Sequence, residues 1–307
     1  TTDPDDEAMW IVEGADYFDF SGYAVAGGGD TDGDGRSDLL VSSHNSDELA
    51  FNSGSVALFT ATDLGDPGVL SAGDAQLRFV GESLRAYTGY SVASAGDVDA
   101  DGWPDVLIGA MGNLDHAPYA GKAYLVRHAE YSGMSEVLLS ETGTMLLGEH
   151  RRAYAGWAVA GAGDVDGDGL DDILVGACGT ELGGADEDED EGAAYLLTGD
   201  GLEGQTVMAL EDGAARWIGT GRHHYVGYDV AGVGDVDGDG RPDIAVSALL
   251  GDMEGRYPGG VFLFVGDALP PSGDVAAAPV QFAAAGPDDQ FGRRLSGQGD
   301  VDGDGRA

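Results

Sequence analysis

The chain has 307 residues, of which 14 are Lys or Arg and 56 are Asp or Glu, giving a formal net charge of −42. Such a charge repels phosphate backbones and anionic lipid, so we expect no nucleic-acid partner and no direct insertion into a membrane. The 54 glycines and the 42% hydrophobic content favour a large core built of short strands and tight turns.

An acidic segment of nine residues recurs along the chain. It reads DTDGDGRSD at 30–38, DVDADGWPD at 97–105, DVDGDGLDD at 164–172, DVDGDGRPD at 235–243 and, incompletely, DVDGDGRA at 300–307. The first aspartates of these acidic loops are 67, 67, 71 and 65 residues apart. A nearly constant period of this kind indicates a repeat architecture.

Four short apolar runs accompany each loop in the same order. The first run begins near a glycine that lies eight residues before the loop, with aromatic residues close to it. The second follows the loop (LLVSS, VLIGA, ILVGA, IAVSA), and the third comes later (SVALFT, KAYLVRH, AAYLLTG, GVFLFVG). The fourth precedes the next glycine (AQLRFVG, TMLLG, ARWIG). Runs this short that end at Gly, Asp or Ser predict strands, which we name A to D.

Four-stranded units repeated along a chain are typical of a β-propeller, whereas solenoid repeats are shorter and hold fewer strands. We therefore predict an all-β fold, with 1–307 as a single β-propeller region. The predicted repeats are 15–81, 82–148, 149–219 and 220–286, with a partial repeat at 287–307 and the last strand of a preceding blade at 1–14. Both ends cut through a repeat, so we expect about four and a half repeats of a larger ring.

The acidic loops are predicted to bind Ca²⁺. Aspartates at loop positions 1, 3, 5 and 9 can converge on one ion because a glycine at position 6 allows a sharp turn, and a set of oxygen ligands favours calcium. The backbone carbonyl at position 7 would add a ligand. The predicted ligands are Asp30, Asp32, Asp34, Arg36 and Asp38; Asp97, Asp99, Asp101, Trp103 and Asp105; Asp164, Asp166, Asp168, Leu170 and Asp172; Asp235, Asp237, Asp239, Arg241 and Asp243; and Asp300, Asp302 and Asp304.

The acidic loops allow two other interpretations. An EF-hand requires a glutamate at position 12 and flanking helices, but position 12 holds Val41, Ile108, Val175 or Val246, each within a predicted strand. Ordinary Asp-Gly turns are the simpler alternative. The same four aspartates recur in four complete loops, and this favours a metal that pins the A–B hairpin and neutralises its charge.

The repeat resembles the FG-GAP repeat of integrin α-subunit propellers and their bacterial relatives. The aromatic-Gly half is best preserved at Phe291-Gly292, and the third part of the motif stands as Gly109-Ala110-Met111 and Gly176-Ala177-Cys178 without its proline. The resemblance implies a seven-bladed propeller with Ca²⁺ in the A–B loops, located outside the cell as a secreted or cell-surface protein. Such repeats occur in adhesion receptors, in secreted bacterial proteins and beside enzyme domains.

A binding surface is predicted on the face opposite the acidic loops. Strands that run up and down place the A–B and C–D loops on one face and the B–C and D–A loops on the other. The second face collects much of the scarce basic and aromatic content. We predict that it binds a protein or glycan partner, although polar loops without a partner would look similar. The predicted contact residues are Arg85, Tyr119, Arg151, Arg152, Arg222, His223 and Tyr257.

A binding or adhesion module is the predicted function, and an enzyme is the alternative. The sequence contains no G-x-S-x-G, H-E-x-x-H or Cys₂His₂ pattern. The single cysteine, Cys178, lies in an apolar run and is predicted to be a buried core residue. The alternative is the propeller domain of a secreted hydrolase or lyase with its active site on the B–C and D–A loop face, near His223 and His224.

Overall fold

A computed structural model describes residues 10–62, 68–181, 190–219, 223–249, 259–265, 272–284 and 289–297. These residues form consecutive, mainly antiparallel sheets with two short α-helices, so the prediction of an all-β propeller fold is confirmed. Within the described ranges, no helix combines the length and the apolar character needed to cross a membrane.

The strands follow the repeats in chain order. First comes β1 (Trp10–Glu13). Repeat 1 holds β2 (Ser21–Gly29), β3 (Asp38–Ser43), β4 (Ser55–Phe59), β5 (Gly68–Ser71) and β6 (Leu77–Val80). Repeat 2 holds β7 (Thr88–Gly96), β8 (Asp105–Ala110), β9 (Lys122–Val126), α1 (His128–Tyr131), β10 (Glu136–Leu138) and β11 (Thr144–Leu147). Repeat 3 holds β12 (Ala158–Gly163), β13 (Asp172–Ala177), β14 (Ala193–Leu197), α2 (Gly199–Leu202), β15 (Val207–Ala209) and β16 (Ala215–Ile218). Repeat 4 holds β17 (Val226–Gly234), β18 (Asp243–Ala248), β19 (Gly260–Phe264), β20 (Gly273–Asp274) and β21 (Val280–Ala283).

Each repeat holds one strand more than the sequence predicted. Strands A to D pair antiparallel in chain order and form one blade. The additional strand lies between C and D, and we call it the linker strand. It pairs in parallel with strand D of the preceding blade, as β10 does with β6, β15 with β11, β20 with β16 and β5 with β1. The linker strands have only 2–4 residues, too few to show a period-2 pattern.

The A strands stand side by side around a central cavity of about 470 Å³. Small residues dominate here because backbone approaches backbone. A Cβ added at Gly161 would lie 2.7 Å from the carbonyl oxygen of Ser94, and one at Gly232 would lie 2.5 Å from the carbonyl oxygen of Gly161. Each A strand also carries a register shift near its end, for example between Gly161 and Gly163. These bulges increase the local twist where the acidic loop begins.

The hydrophobic core lies between neighbouring blades. In β13, Ile173 and Val175 pack toward blade 2, whereas Leu174 packs toward blade 4, and all three side chains are fully buried. In β8, Val106 and Ile108 likewise pack toward blade 1, whereas Leu107 packs toward blade 3. Because both faces of an inner blade are covered, its strands are apolar throughout and not at alternate positions.

A buried polar bridge joins two of the D–A connections to strand C of the following blade. Lys122 Nζ donates to Glu82 Oε1 at 2.6 Å and to Asp115 Oδ2 at 3.0 Å, while the hydroxyl of Tyr124 donates to Glu82 at 2.6 Å. One repeat later, Glu149 accepts from the Tyr195 hydroxyl at 2.8 Å in the same way. The bridge therefore fastens the connection between consecutive blades to strand C, and its tyrosines, Tyr124 and Tyr195, are also buried in the apolar core.

Replacing the buried lysine of this bridge tests its contribution. Lys122→Met removes the ammonium group and leaves Glu82, whose side chain is 15% exposed, without its cation. We expect a loss of about 3 kcal/mol in the free energy of unfolding, measured by urea denaturation. Arg78→Met is the matched control, because its pair with Glu136 is 30% and 48% exposed and should cost less than about 1 kcal/mol. Equal losses in the two variants would contradict the bridge.

Candidate metal centres and the opposite loop face

The acidic loops are folded by their own first aspartate. In the third loop, Asp164 Oδ1 accepts the backbone N–H groups of Gly167 at 2.6 Å and Asp168 at 3.0 Å, and its Oδ2 accepts that of Gly169 at 2.9 Å. The same contacts recur at loops 1 and 4, and loop 2 retains two of them. Gly169 has a φ of 93°, a conformation that glycine adopts at little cost, so the chain reverses and presents its carboxylates inward.

The ninth loop residue has a second role that the sequence did not predict. In loop 2, Asp105 is fully buried, and its two oxygens accept the backbone N–H groups of Val98 at 3.1 Å and His128 at 2.8 Å. Asp172 makes the equivalent pair of bonds to Val165 and Gly199, each at 2.9 Å. This aspartate thus ties the acidic loop to the chain that leaves strand C.

Carboxylate oxygens converge in each of the four loops that lie within the described residues. The oxygens of each group are within 4.8 Å of one another. Positions 1 and 3 belong to every group, and the third member is position 9 in loops 1 and 3 and position 5 in loops 2 and 4. The groups are Asp30, Asp32 and Asp38; Asp97, Asp99 and Asp101; Asp164, Asp166 and Asp172; and Asp235, Asp237 and Asp239. Three hard oxygen donors at this spacing fit the chemistry of a bound Ca²⁺.

Burial disfavours the charge of the ninth residue when no cation is close. It raises the pKa of Asp105 and that of Asp172 to about 7, in spite of the backbone N–H groups that each accepts. A divalent cation beside these carboxylates would hold them ionised. The donor set therefore fits calcium both by its geometry and by its charge.

Acidic loops 1 and 2 touch through position 7, and so do loops 3 and 4. The Trp103 ring of loop 2 lies so close to Gly33 of loop 1 that a Cβ there would be 2.8 Å from it, and Arg241 of loop 4 lies over Gly167 of loop 3. The carbonyls at position 7 remain predicted ligands. Of the other predicted ligands, Asp168 lies with Asp166 and Asp200 in a separate acidic group. Asp300, Asp302 and Asp304 lie outside the described residues.

On the opposite face, the B–C loop of one repeat is joined to the D–A loop of the next. The backbone N–H of Arg85 donates to the carbonyl of Phe51 at 2.9 Å, and that of Arg152 donates to the carbonyl of Pro118 at 2.9 Å. The Tyr119 ring lies 6.2 Å from that of Tyr154. Of the predicted contact residues, Tyr119 of one repeat thus lies beside the segment of the next repeat that carries Arg151 and Arg152.

Several predicted contact residues have a left-handed backbone. The φ angles of Arg85, Tyr119, Arg152 and His223 are 57°, 57°, 60° and 58°, a region that non-glycine residues enter at a cost of about 1 kcal/mol or more. His223 Nδ1 lies 3.6 Å from Asp190 Oδ2. The predicted residues Arg222 and Tyr257 lie outside the described part of the chain.

A row of aromatic rings beside the central cavity was not predicted as a site. The rings of Tyr23, Tyr90, Trp157 and Tyr228 follow one another at centroid distances of 5.0, 4.8 and 5.4 Å. His44 lies 4.3 Å from the Tyr23 ring, and burial lowers its pKa to about 4, so it is neutral. The signal was present in the sequence as the aromatic that follows the glycine of each strand A, but only the ring of blades brings these residues together.

Comparison with known proteins identifies the repeat. The FG-GAP repeat family matches residues 21–59, 88–126 and 226–264, and each match runs from strand A to the end of strand C. Integrin alpha-V of Gallus gallus is 31% identical over 244 residues, which cover 78% of this chain and 21% of that protein. Integrin alpha pat-2 of Caenorhabditis elegans is 30% identical over 75% of this chain and 18% of its own length. Integrin alpha-PS2 of Drosophila melanogaster is 33% identical over 71% of this chain. The chain spans about a fifth or less of these relatives.

Proposed function

The chain is an FG-GAP repeat β-propeller of the integrin α-like family, and from that premise we propose that it is a calcium-stabilised binding module. Its site of action would be outside the cell, as a secreted or surface-exposed protein that binds a protein or glycan partner. The observation that carries the proposal is the separation of two faces. One face presents the converging carboxylates, and the other presents the joined B–C and D–A loops.

Calcium would have a structural role in this protein. Four of the five described groups of carboxylates lie in a hairpin tip between strands A and B, and the fifth joins Asp166 and Asp168 to Asp200. No group of three described His, Cys, Asp or Glu ligands mixes carboxylates with histidine or cysteine. A bound ion would offset the repulsion among carboxylates in a chain of net charge −42. Extracellular calcium modules bind in the range of about 10⁻⁴–10⁻³ M, which suits an environment rich in calcium.

The face formed by the B–C and D–A loops, which we call the loop face, is the proposed partner-binding surface. Its backbone is strained and its side chains suit recognition. Arginine and tyrosine are frequent among residues that dominate binding energy at interfaces. Left-handed backbone at non-glycine residues is often found where a surface has a function. The relatives are integrin α-subunits, and this favours a binding protein over the secreted hydrolase or lyase that the sequence also allowed.

Alanine substitution on the loop face tests the partner-binding proposal. We expect Arg151→Ala and Arg152→Ala to weaken binding by roughly tenfold each if both arginines are anchors. His223→Ala should have a smaller effect. Binding would be measured by biolayer interferometry in millimolar calcium, first against panels of extracellular-matrix proteins and glycans and then against the strongest hit.

Arg36→Ala is the matched control for these variants. Arg36 is an exposed arginine on the face that carries the acidic loops, which we call the calcium-loop face. Its backbone carbonyl, the predicted ligand, is kept in the variant. We expect this substitution to leave partner binding unchanged. If the loop-face variants bind the partner as tightly as the unmodified protein and Arg36→Ala do, the partner-binding surface has been assigned to the wrong face.

A further inference from the structure

A cavity of about 250 Å³ lies between blades 1 and 2 on the calcium-loop face. Asp32 and Thr60 line it from blade 1, together with Gln76 at the start of strand D. Trp103, His128 and Tyr131 line it from blade 2. All these residues lie within the described part of the chain, and neither the FG-GAP motif nor the partner face accounts for the cavity.

The equivalent position between blades 2 and 3 is filled by the side chain of Arg127. Its Nη1 donates to Thr144 Oγ1 at 3.0 Å and its Nη2 donates to the carbonyl of Leu202 at 2.7 Å. Its Nε lies 3.8 Å from Asp99 Oδ2, and the side chain is 15% exposed. Between blades 2 and 3, a guanidinium group of the chain itself therefore occupies this position.

Hydrogen bonds establish that Thr60 and Arg127 are equivalent. Each directly follows strand C, and the next residue donates its N–H to the buried ninth aspartate of its loop. The distances are 2.9 Å from Ala61 to Asp38 and 2.8 Å from His128 to Asp105. By the same repeat alignment, Asp32 corresponds to Asp99, and Tyr131 corresponds to Leu202. Threonine at position 60 is too short to fill the space that arginine fills one blade later.

The cavity keeps the chemistry that holds Arg127 and adds aromatic surface. Asp32 supplies the carboxylate that corresponds to Asp99. The carbonyl of Tyr131 accepts the Met134 N–H at 3.0 Å and has a second lone pair, which the equivalent Leu202 carbonyl uses for Arg127. Trp103 is stacked on His128 with centroids 4.6 Å apart and planes at 13°, and aromatic rings attract a planar cation.

We propose that the cavity between blades 1 and 2 binds the guanidinium group of an arginine side chain presented by a partner protein. An ammonium group fits less well, because the site is matched by a planar fork of donors and by stacking. The arginine enters from the exposed side at Gly133 and Met134, which form part of the cavity wall. This site is distinct from the loop face on the other side of the propeller.

Direct titration of the calcium-saturated protein tests the proposal. The probe is N-acetylarginine amide, with N-acetylcitrulline amide as its neutral match, and binding is followed by calorimetry. We expect arginine to bind at millimolar concentration and citrulline to bind about tenfold more weakly, because the charge-assisted hydrogen bonds are lost. Equal affinity for the two probes, or no binding of N-acetylarginine amide, overturns the proposal.

Two exchanges between the equivalent positions locate the site. Thr60→Arg should fill the cavity from within, raise the melting temperature and abolish binding of the arginine probe. Arg127→Thr should open a second cavity, lower the melting temperature and allow N-acetylarginine amide, but not the citrulline probe, to restore part of the loss. If Thr60→Arg binds the probe as the unmodified protein does, or if Arg127→Thr shows no rescue, the assignment is wrong. The second exchange decides the matter if the first variant does not fold.

Discussion

Removal of calcium is expected to lower the melting temperature of this protein by roughly 10 °C or more. At 1 mM calcium and a dissociation constant near 10⁻⁴ M, one site stabilises the folded state by about 1.4 kcal/mol. Four loops with converging carboxylates lie in the described residues, and together they would contribute about 6 kcal/mol. This is comparable with the whole stability of a typical domain.

The experiment compares thermal melts in calcium, in magnesium and in chelator at constant ionic strength. Magnesium is the informative control, because it carries the same charge but requires near-octahedral geometry and gives up its water reluctantly. We expect calcium to raise the melting temperature well above the value in magnesium. Equal melting temperatures in the two ions would indicate simple screening of the −42 charge. A melting temperature that does not change when chelator is added would show that calcium does not stabilise the protein.

Single-loop variants then assign the effect to the loops. Asp99→Asn and Asp166→Asn change exposed carboxylates at position 3, so each should remove one calcium ion from the stoichiometry without disturbing the core. Calorimetric titration would count the ions. Because the loops touch through Trp103 and Gly33, the loss of one ion should also weaken binding at its neighbour.

The strands of each blade were predictable because their signal is local. The run VLIGA is bounded by an aspartate and a loop, is apolar at every position, and forms β8 at Asp105–Ala110. The spacing of the five acidic loops gives the repeat period by itself. Residues whose backbone must turn sharply, such as Gly102 at a φ of 87°, were marked in the sequence by glycine itself.

The features that the sequence did not predict depend on which blade lies next to which. The linker strand β10 has three residues and pairs with β6 of the preceding blade, so nothing within its own segment marks it as a strand. The cavity beside Thr60 forms between a short side chain of blade 1 and the surface of blade 2, so neither segment shows it alone. The carboxylate of Asp105 was predicted only as a metal ligand. Its two backbone partners are Val98, which precedes strand B, and His128, which follows strand C, and the sequence does not show that the fold brings them together.

Because Asp105 has two roles, its substitution should cost stability with and without calcium. Asp105→Ala should destabilise the protein by about 4 kcal/mol even in chelator, because it leaves two buried N–H groups without their acceptor. Asp101→Ala changes an exposed carboxylate of the same loop, and in chelator it should cost less than about 0.5 kcal/mol. Urea denaturation of both variants, with and without calcium, forms a cycle that separates the metal term from the hydrogen-bond term.

Asp105→Asn distinguishes the two roles within one residue. The amide oxygen can still accept one of the two backbone N–H groups, but the amide nitrogen faces the other donor and cannot accept. We therefore expect an intermediate loss in chelator, and a further loss in calcium only if Asp105 also binds the ion. If the Asp105 variants were as stable as the unmodified protein in chelator, the buried aspartate would be a metal ligand alone. The hairpin tips would then be held together by calcium and not by their own backbone.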